Sequence, residues 1–108
     1  MSVLSARERF AEFRRLPFPE PGDSEELADW IADLAEVDGY YAGLIDSALA
    51  GASKGPLDAT HITALRLRLH EISSSIDPKY RTALKEAESY AEALYELVSH
   101  FSIQNRRA

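Results

Sequence analysis

The chain has 108 residues, a length typical of one domain, and 45% of them are hydrophobic and 28% charged. These proportions are ordinary for a folded protein and exclude a disordered chain. The formal net charge of −6 disfavours a nucleic-acid partner, because binding to phosphates needs a basic surface. The absence of cysteine excludes disulfides and metal sites built from thiolates.

No segment of the sequence has the composition of a membrane span or a signal peptide. Apolar runs stay well below the roughly 18 residues that a span requires. Charged residues from Arg7 to Glu12 interrupt the region where a signal peptide would be apolar. We therefore expect a cytoplasmic protein with no membrane partner, and the lack of cysteine agrees with that location.

The N-terminal segment 1–22 predicts a short helix followed by a proline-rich connector. Ser5 and Glu8 have the spacing of a capping box, in which each side chain accepts a hydrogen bond from the backbone amide of the other residue. Aromatic and aliphatic residues then recur at helical spacing, and three prolines end the helix because proline lacks the amide proton. The apolar residues are Phe10, Phe13 and Leu16, and the prolines are Pro17, Pro19 and Pro21.

Three longer segments, 23–50, 58–76 and 78–103, carry apolar residues at alternating intervals of three and four. This repeat is typical of helices that pack in bundles, and short connections favour antiparallel neighbours. The sequence therefore predicts an all-α fold in one domain, 1–108: an antiparallel bundle of three long heptad-patterned helices plus a short N-terminal helix. The predicted core contains Leu34, Tyr41, Leu44, Leu65, Leu69, Leu84, Leu94 and Val98.

The ends of these segments carry residues suited to begin and end helices. Asp23, Asp58 and Asp77 each precede a helical segment, where a carboxylate can accept a hydrogen bond from a free amide. Gly51 follows the second helix, and glycine commonly ends a helix in the left-handed conformation. The residues from Gln104 onwards are expected to fray.

Acidic residues are concentrated in the second predicted helix. Between Asp23 and Ala50 the sequence has eight acidic residues and no basic one, and most of them fall opposite the apolar stripe. Such a face can simply keep the protein soluble, or it can bind a basic protein. The candidate contact surface combines these acidic residues with apolar and aromatic residues outside the main stripes. Its members are Glu26, Asp29, Asp33, Glu36, Tyr40, Leu67, Tyr90 and Tyr95.

The run from Glu25 to Asp29, Glu-Glu-Leu-Ala-Asp, resembles the Glu-Glu-x-x-Glu/Asp motif of the MazG-type all-α nucleotide pyrophosphatases. The resemblance implies a divalent metal held by carboxylates on this helix. The family also carries Glu-x-x-Asp on a following helix, but Glu71 and Glu92 are followed three residues later by serine and tyrosine. We therefore expect no tight metal site and no cofactor. The ligands of the alternative metal site would be Glu25, Glu26, Asp29 and Asp33.

Two features inside the second helix predict further contacts. Gly39 and Gly43 each cost about 0.8–1.0 kcal/mol relative to alanine, so they predict the close approach of a backbone or an aromatic ring, within the chain or across a dimer. Asp38 lies at the edge of the apolar stripe, where an unpaired carboxylate would be costly. We predict Arg68 as its structural partner, with a tyrosine hydroxyl or His61 as the alternative.

No motif in the sequence indicates nucleophilic catalysis or a phosphate-binding loop. The sequence therefore predicts a small acidic helical bundle that is not an enzyme and that binds another protein. The partner is expected to be a basic protein or a second copy of the chain in a homodimer. The alternatives are a metal-dependent all-α nucleotide hydrolase and a structural subunit of a larger assembly.

Overall fold

The computed structural model describes residues 5–51 and 57–106, with side chains as far as residue 101, and this part of the chain contains helices and no strand. The all-α expectation is therefore confirmed. The helices are α1 (Ala6–Arg14), α2 (Glu25–Leu49), α3 (Thr60–Ser73) and α4 (Arg81–Arg106), with a 3₁₀ turn at Pro78–Tyr80.

The first helix begins at the predicted capping box. The amide of Glu8 donates to the Ser5 hydroxyl at 3.2 Å, and the amide of Ser5 donates to the Glu8 carboxylate at 3.4 Å. After α1 the chain has neither helix nor strand through the prolines, and Pro19 is buried. The Phe18 ring lies 5.1 Å from the ring of Tyr90 on α4, so the connector packs onto the bundle.

The second helix is capped by Ser24 and not by Asp23, which corrects the prediction. The Ser24 hydroxyl accepts a hydrogen bond from the Leu27 amide at 3.2 Å, and Ser24 is buried. A neutral hydroxyl loses less solvation there than a carboxylate would, which explains the choice of cap. At the other end, Gly51 has φ 80°, the left-handed conformation predicted for the residue that follows this helix.

The third helix is shorter than the predicted segment 58–76. Asp58 accepts a hydrogen bond from the Thr60 amide at 3.0 Å, but Ala59 occupies the cap position and contributes no side-chain bond. The hydrogen bond from the Thr60 amide lowers the pKa of the exposed Asp58 carboxyl. At the C-terminal end, Ser73 and Ser74 donate through their hydroxyls to backbone carbonyls three residues earlier. These bonds accompany the end of α3, three residues before the predicted limit at residue 76.

The fourth helix starts after a 3₁₀ turn. Asp77 accepts from the Lys79 amide at 2.9 Å, as expected for a cap, and Pro78 takes the first position of the turn. The helix continues to Arg106, so the fraying expected from Gln104 is wrong for the described part of the tail. None of the described helices is both long and apolar enough to cross a lipid bilayer.

One hydrophobic core joins the four helices, and α4 contacts each of the other three. Seven of the eight predicted core residues are buried, and Leu44 is half-buried at the margin. Trp30 is fully buried, and its indole N–H donates to the Leu65 carbonyl at 2.8 Å, which fixes α2 against α3. Its large apolar surface and satisfied N–H make Trp30 the main anchor between these helices.

The fully buried Tyr41 joins α2 to the beginning of α3. Its hydroxyl donates to the Asp58 carbonyl at 2.8 Å and accepts from the Ile62 amide at 3.4 Å. Burial raises the pKa of the Tyr41 phenol. The bond to Ile62 satisfies one of the amides left free in the first turn of α3.

Candidate functional site

The surface of α2 that points away from the core has an acidic half and an aromatic, glycine-rich half. Residues along it recur at intervals of three, four or seven, and all of them are exposed. We call this row the outer face of α2. It consists of Glu25, Asp29, Glu36, Tyr40 and Gly43.

The acidic half has little compensating positive charge nearby. Asp33, beside the outer face, pairs with the Arg68 guanidinium at 2.6 Å, and both side chains are 48% exposed. Arg68 also lines an open groove between α2 and α3 together with Glu26 and Asp29. Within residues 5–51 and 57–101, neither Glu26, Asp29 nor the exposed Glu36 forms an ion pair. These carboxylates therefore leave a negative potential at the surface.

The aromatic half is centred on Tyr40, which is 50% exposed and meets His61 of α3 edge to face at 5.1 Å. Gly39 and Gly43 lie on either side of it, and a methyl group placed on either glycine would have no neighbour within 4 Å. The predicted close approach within the chain is therefore wrong for the described residues, because both glycines face outwards. An approach across a dimer stays a prediction.

The predicted contact surface does not form one continuous patch. Tyr90 is only 7% exposed and belongs to the core, so its assignment to a binding surface is wrong. Leu67 is 63% exposed but lines a groove between α3 and α4. Tyr95 is half-buried, with the Arg66 guanidinium 4.5 Å above its ring. The residues of the predicted contact surface on α2 and those on α3 and α4 therefore belong to two separate candidate surfaces.

Asp38 has a partner, as predicted, but the partner is not Arg68. The Tyr90 hydroxyl donates to the Asp38 carboxylate at 2.9 Å, so the alternative of a tyrosine hydroxyl is correct. The Arg14 guanidinium of α1 lies 3.7 Å from the same carboxylate, whose side chain is 14% exposed. Burial, and then the bond to Asp38, raises the pKa of the Tyr90 hydroxyl.

Helix geometry explains why Arg68 is not available to Asp38. At 100° per residue, Asp38 and Asp33 lie about 140° apart around α2, so they cannot face the same neighbouring helix. Asp33 faces α3, while Asp38 faces the seam where α1 and α4 meet α2. The basic last turn of α1, which ends at Arg14, indicates an arginine that can pair with a carboxylate, but it does not identify Asp38.

Two buried polar side chains that the sequence did not single out lie on α1 and α4. The Arg9 Nε and His100 Nε2 atoms are buried and have no hydrogen-bond partner among the described residues. Burial, and then the positive charge of Arg9, lowers the pKa of the His100 imidazole. This arrangement favours neutral histidine at the seam.

Carboxylates on α2 are not gathered into a metal site. Among the described residues, no group of three or more histidine, aspartate or glutamate side chains is placed to hold a metal ion. The alternative ligand set predicted from the sequence is therefore not brought together. That set comprises Glu25, Glu26, Asp29 and Asp33.

No protein-family model matches this chain, and comparison with curated proteins and with solved structures gave no match. Function therefore has to be inferred from the geometry and charge of the chain itself.

Proposed function

We propose that this protein is a non-enzymatic binding module and that the outer face of α2 binds a basic segment of another protein. The observation that carries the proposal is the charge of α2: from Asp23 to Ala50 there are eight acidic residues and no basic one. In the part of the chain that the structure describes, the carboxylates of Glu26, Asp29 and Glu36 form no ion pair. Complementary charge accelerates association and rejects partners of the wrong sign.

The proposal includes an antiparallel order of the long helices, which leaves the outer face of α2 free. Contacts between α2 and α3 support this order. As the position rises along α2 from Trp30 to Tyr41, the contacted position falls from Leu65 to Asp58. The buried side chains of Trp30 and Tyr41 lie on a different side of α2 from the exposed carboxylates of the outer face.

The aromatic half of the outer face supplies the apolar centre that a charged surface lacks. Tyrosine is enriched among the residues that dominate binding energy at interfaces. Gly39 and Gly43 beside Tyr40 allow a partner backbone to approach the helix closely, and no contact within the described chain requires either glycine. We infer that charge attracts the partner and that Tyr40 provides the packed contact.

The charge part of the proposal can be tested with a synthetic helix-forming peptide that carries lysine at every fourth position. Asp29→Asn/Glu36→Gln should weaken its binding in calorimetry by about two- to thirtyfold, because each exposed pair contributes about 0.2–1 kcal/mol. Added salt should weaken binding to the wild type further. The matched control is Glu86→Gln/Glu96→Gln on α4, which removes the same charge. Equal losses in both variants would show that net charge, and not this face, attracts the peptide.

The glycines allow a test in which stability and binding move in opposite directions. Gly39→Ala and Gly43→Ala should each raise the free energy of unfolding by about 0.4–1 kcal/mol, because alanine loses less backbone entropy and has room for its methyl group. The same variants should bind the lysine peptide less tightly. A gain in stability with unchanged binding would show that the glycines do not contribute to the proposed binding surface.

A further inference from the structure

A groove between α3 and α4 lies apart from the outer face of α2 and encloses about 350 Å³. Arg66, Leu67 and His70 form its α3 side, and Glu88 and Glu92 form its α4 side, above a floor that includes the buried Leu69.

Opposite charges face each other across this groove without pairing. Arg66 and His70 are one helical turn apart on α3, and Glu88 and Glu92 are one turn apart on α4. Within the described residues, none of these four side chains forms an ion pair. The Arg66 guanidinium instead lies over the Tyr95 ring at 4.5 Å. The α3 wall therefore keeps the positive charge of Arg66 available, and the α4 wall keeps the negative charges of Glu88 and Glu92 available.

A surface with one basic and one acidic wall is complementary to itself. A two-fold axis through the groove would place the basic wall of each copy against the acidic wall of the other, because two-fold interfaces pair a patch with its own image. The rim residue Leu67, 63% exposed, would be covered by the second copy. We propose that the α3–α4 groove is the seam of a homodimer.

The size of the molecule is compatible with such a seam. A stable interface buries about 800 Å² on each partner. The chain exposes 7102 Å² in total, so the seam needs only a modest fraction of its surface. The seam contains no residue of the outer face of α2, so dimerisation can fail while the proposed binding of a basic partner holds, and the reverse is also possible.

Charge reversal provides the test, read by analytical ultracentrifugation over a range of protein concentrations. The first variant, Arg66→Glu/His70→Glu, makes both walls acidic, and the second, Glu88→Lys/Glu92→Lys, makes both walls basic. Each variant alone should dimerise at least about tenfold more weakly than the wild type, because like charges meet at the seam. An equimolar mixture of the two should form heterodimers.

Two further variants of this chain test whether the groove itself forms the dimer. Leu67→Gln should weaken dimerisation without a change of charge, whereas Asp29→Asn/Glu36→Gln on α2 should dimerise like the wild type. Circular dichroism checks that each variant is folded, which is expected because the substituted side chains are exposed. The homodimer proposal is overturned if the wild type stays monomeric, or if the charge-reversed variants dimerise alone as well as the wild type does.

Discussion

Two aspartates on α2 have arginine partners in very different surroundings. Asp33 pairs with Arg68 of α3 at 2.6 Å, and both side chains are 48% exposed. Asp38 lies 3.7 Å from Arg14 of α1, is 14% exposed, and also accepts the Tyr90 hydroxyl at 2.9 Å. The shorter ion pair is therefore the more exposed one.

The difference between these pairs shows that distance alone does not determine stabilisation. Water competes for both members of the exposed Asp33–Arg68 pair, and holding two long side chains in place costs entropy. Loss of Asp38 would instead leave the partly buried Tyr90 hydroxyl without the carboxylate that accepts its hydrogen bond. We expect the longer contact to stabilise the fold more.

The largest expected effect concerns the apolar contacts beside the exposed pair. Trp30→Ala should lower the free energy of unfolding by about 3–5 kcal/mol, because it leaves a cavity between α2 and α3. The variant also removes the donor to the Leu65 carbonyl. Urea denaturation measures the loss, and Trp30→Phe, which keeps an aromatic ring, should lose less. If Trp30→Ala unfolds at the wild-type urea concentration, the α2–α3 seam depends on something other than this side chain.

The aspartates themselves give the direct comparison. Asp38→Ala should lower the free energy of unfolding by about 1–3 kcal/mol, since it leaves the Tyr90 hydroxyl unpaired. Asp33→Ala removes an exposed pair and should cost about 0.2–1 kcal/mol. Both values come from urea denaturation of otherwise identical chains. Equal shifts of the unfolding midpoint would mean that burial does not distinguish the two sites.

The smallest expected effect comes from His100, where burial acts on a histidine instead of a carboxylate. Its pKa is lowered in the folded chain, by burial first and by Arg9 second, so unfolded chains bind the proton more readily. Neutral His100 makes its full contribution to the free energy of unfolding above its ordinary pKa of about 6.5. That contribution is lost as the pH falls through the lower pKa that His100 has in the folded chain. His100→Gln should therefore make the melting temperature less dependent on pH over that acidic range. A variant with the wild-type pH profile would show that other groups cause the dependence.

Several features that depend on short stretches of sequence could be predicted, although the caps of α2 and α3 were not, and contacts that depend on docking between helices could not be predicted. The capping box at Ser5 and the buried stripes follow from local spacing. The partner of Asp38 depends on where α1 packs, and the residue pattern of α2 does not indicate the position of α1. Tyr90 was misassigned for a related reason. Because α4 is covered by α1, α2 and α3, its buried arc is wider than one heptad stripe.

Candidate sites were harder to predict than the fold. The exposed carboxylates could be placed on α2 because they lie opposite its apolar stripe. The stripe does not indicate which of these carboxylates form ion pairs. Asp33 does so through Arg68, and the described Asp29 and Glu36 do not. The separation of Leu67 from the α2 surface likewise depends on how α3 packs against α4.

The hydroxyl of Tyr41 has a consequence for the order in which the chain folds. With 14 residues, α3 is close to the length, about 12–15 residues, below which an isolated helix is marginal in water, and its cap residue Ala59 contributes no side-chain bond. The amide of Ile62 is bonded by a residue of α2, so α3 gains this support only after α2 has docked. In native-state hydrogen exchange, the Ile62 amide should therefore open together with the α2–α3 unit instead of fraying with the end of its own helix.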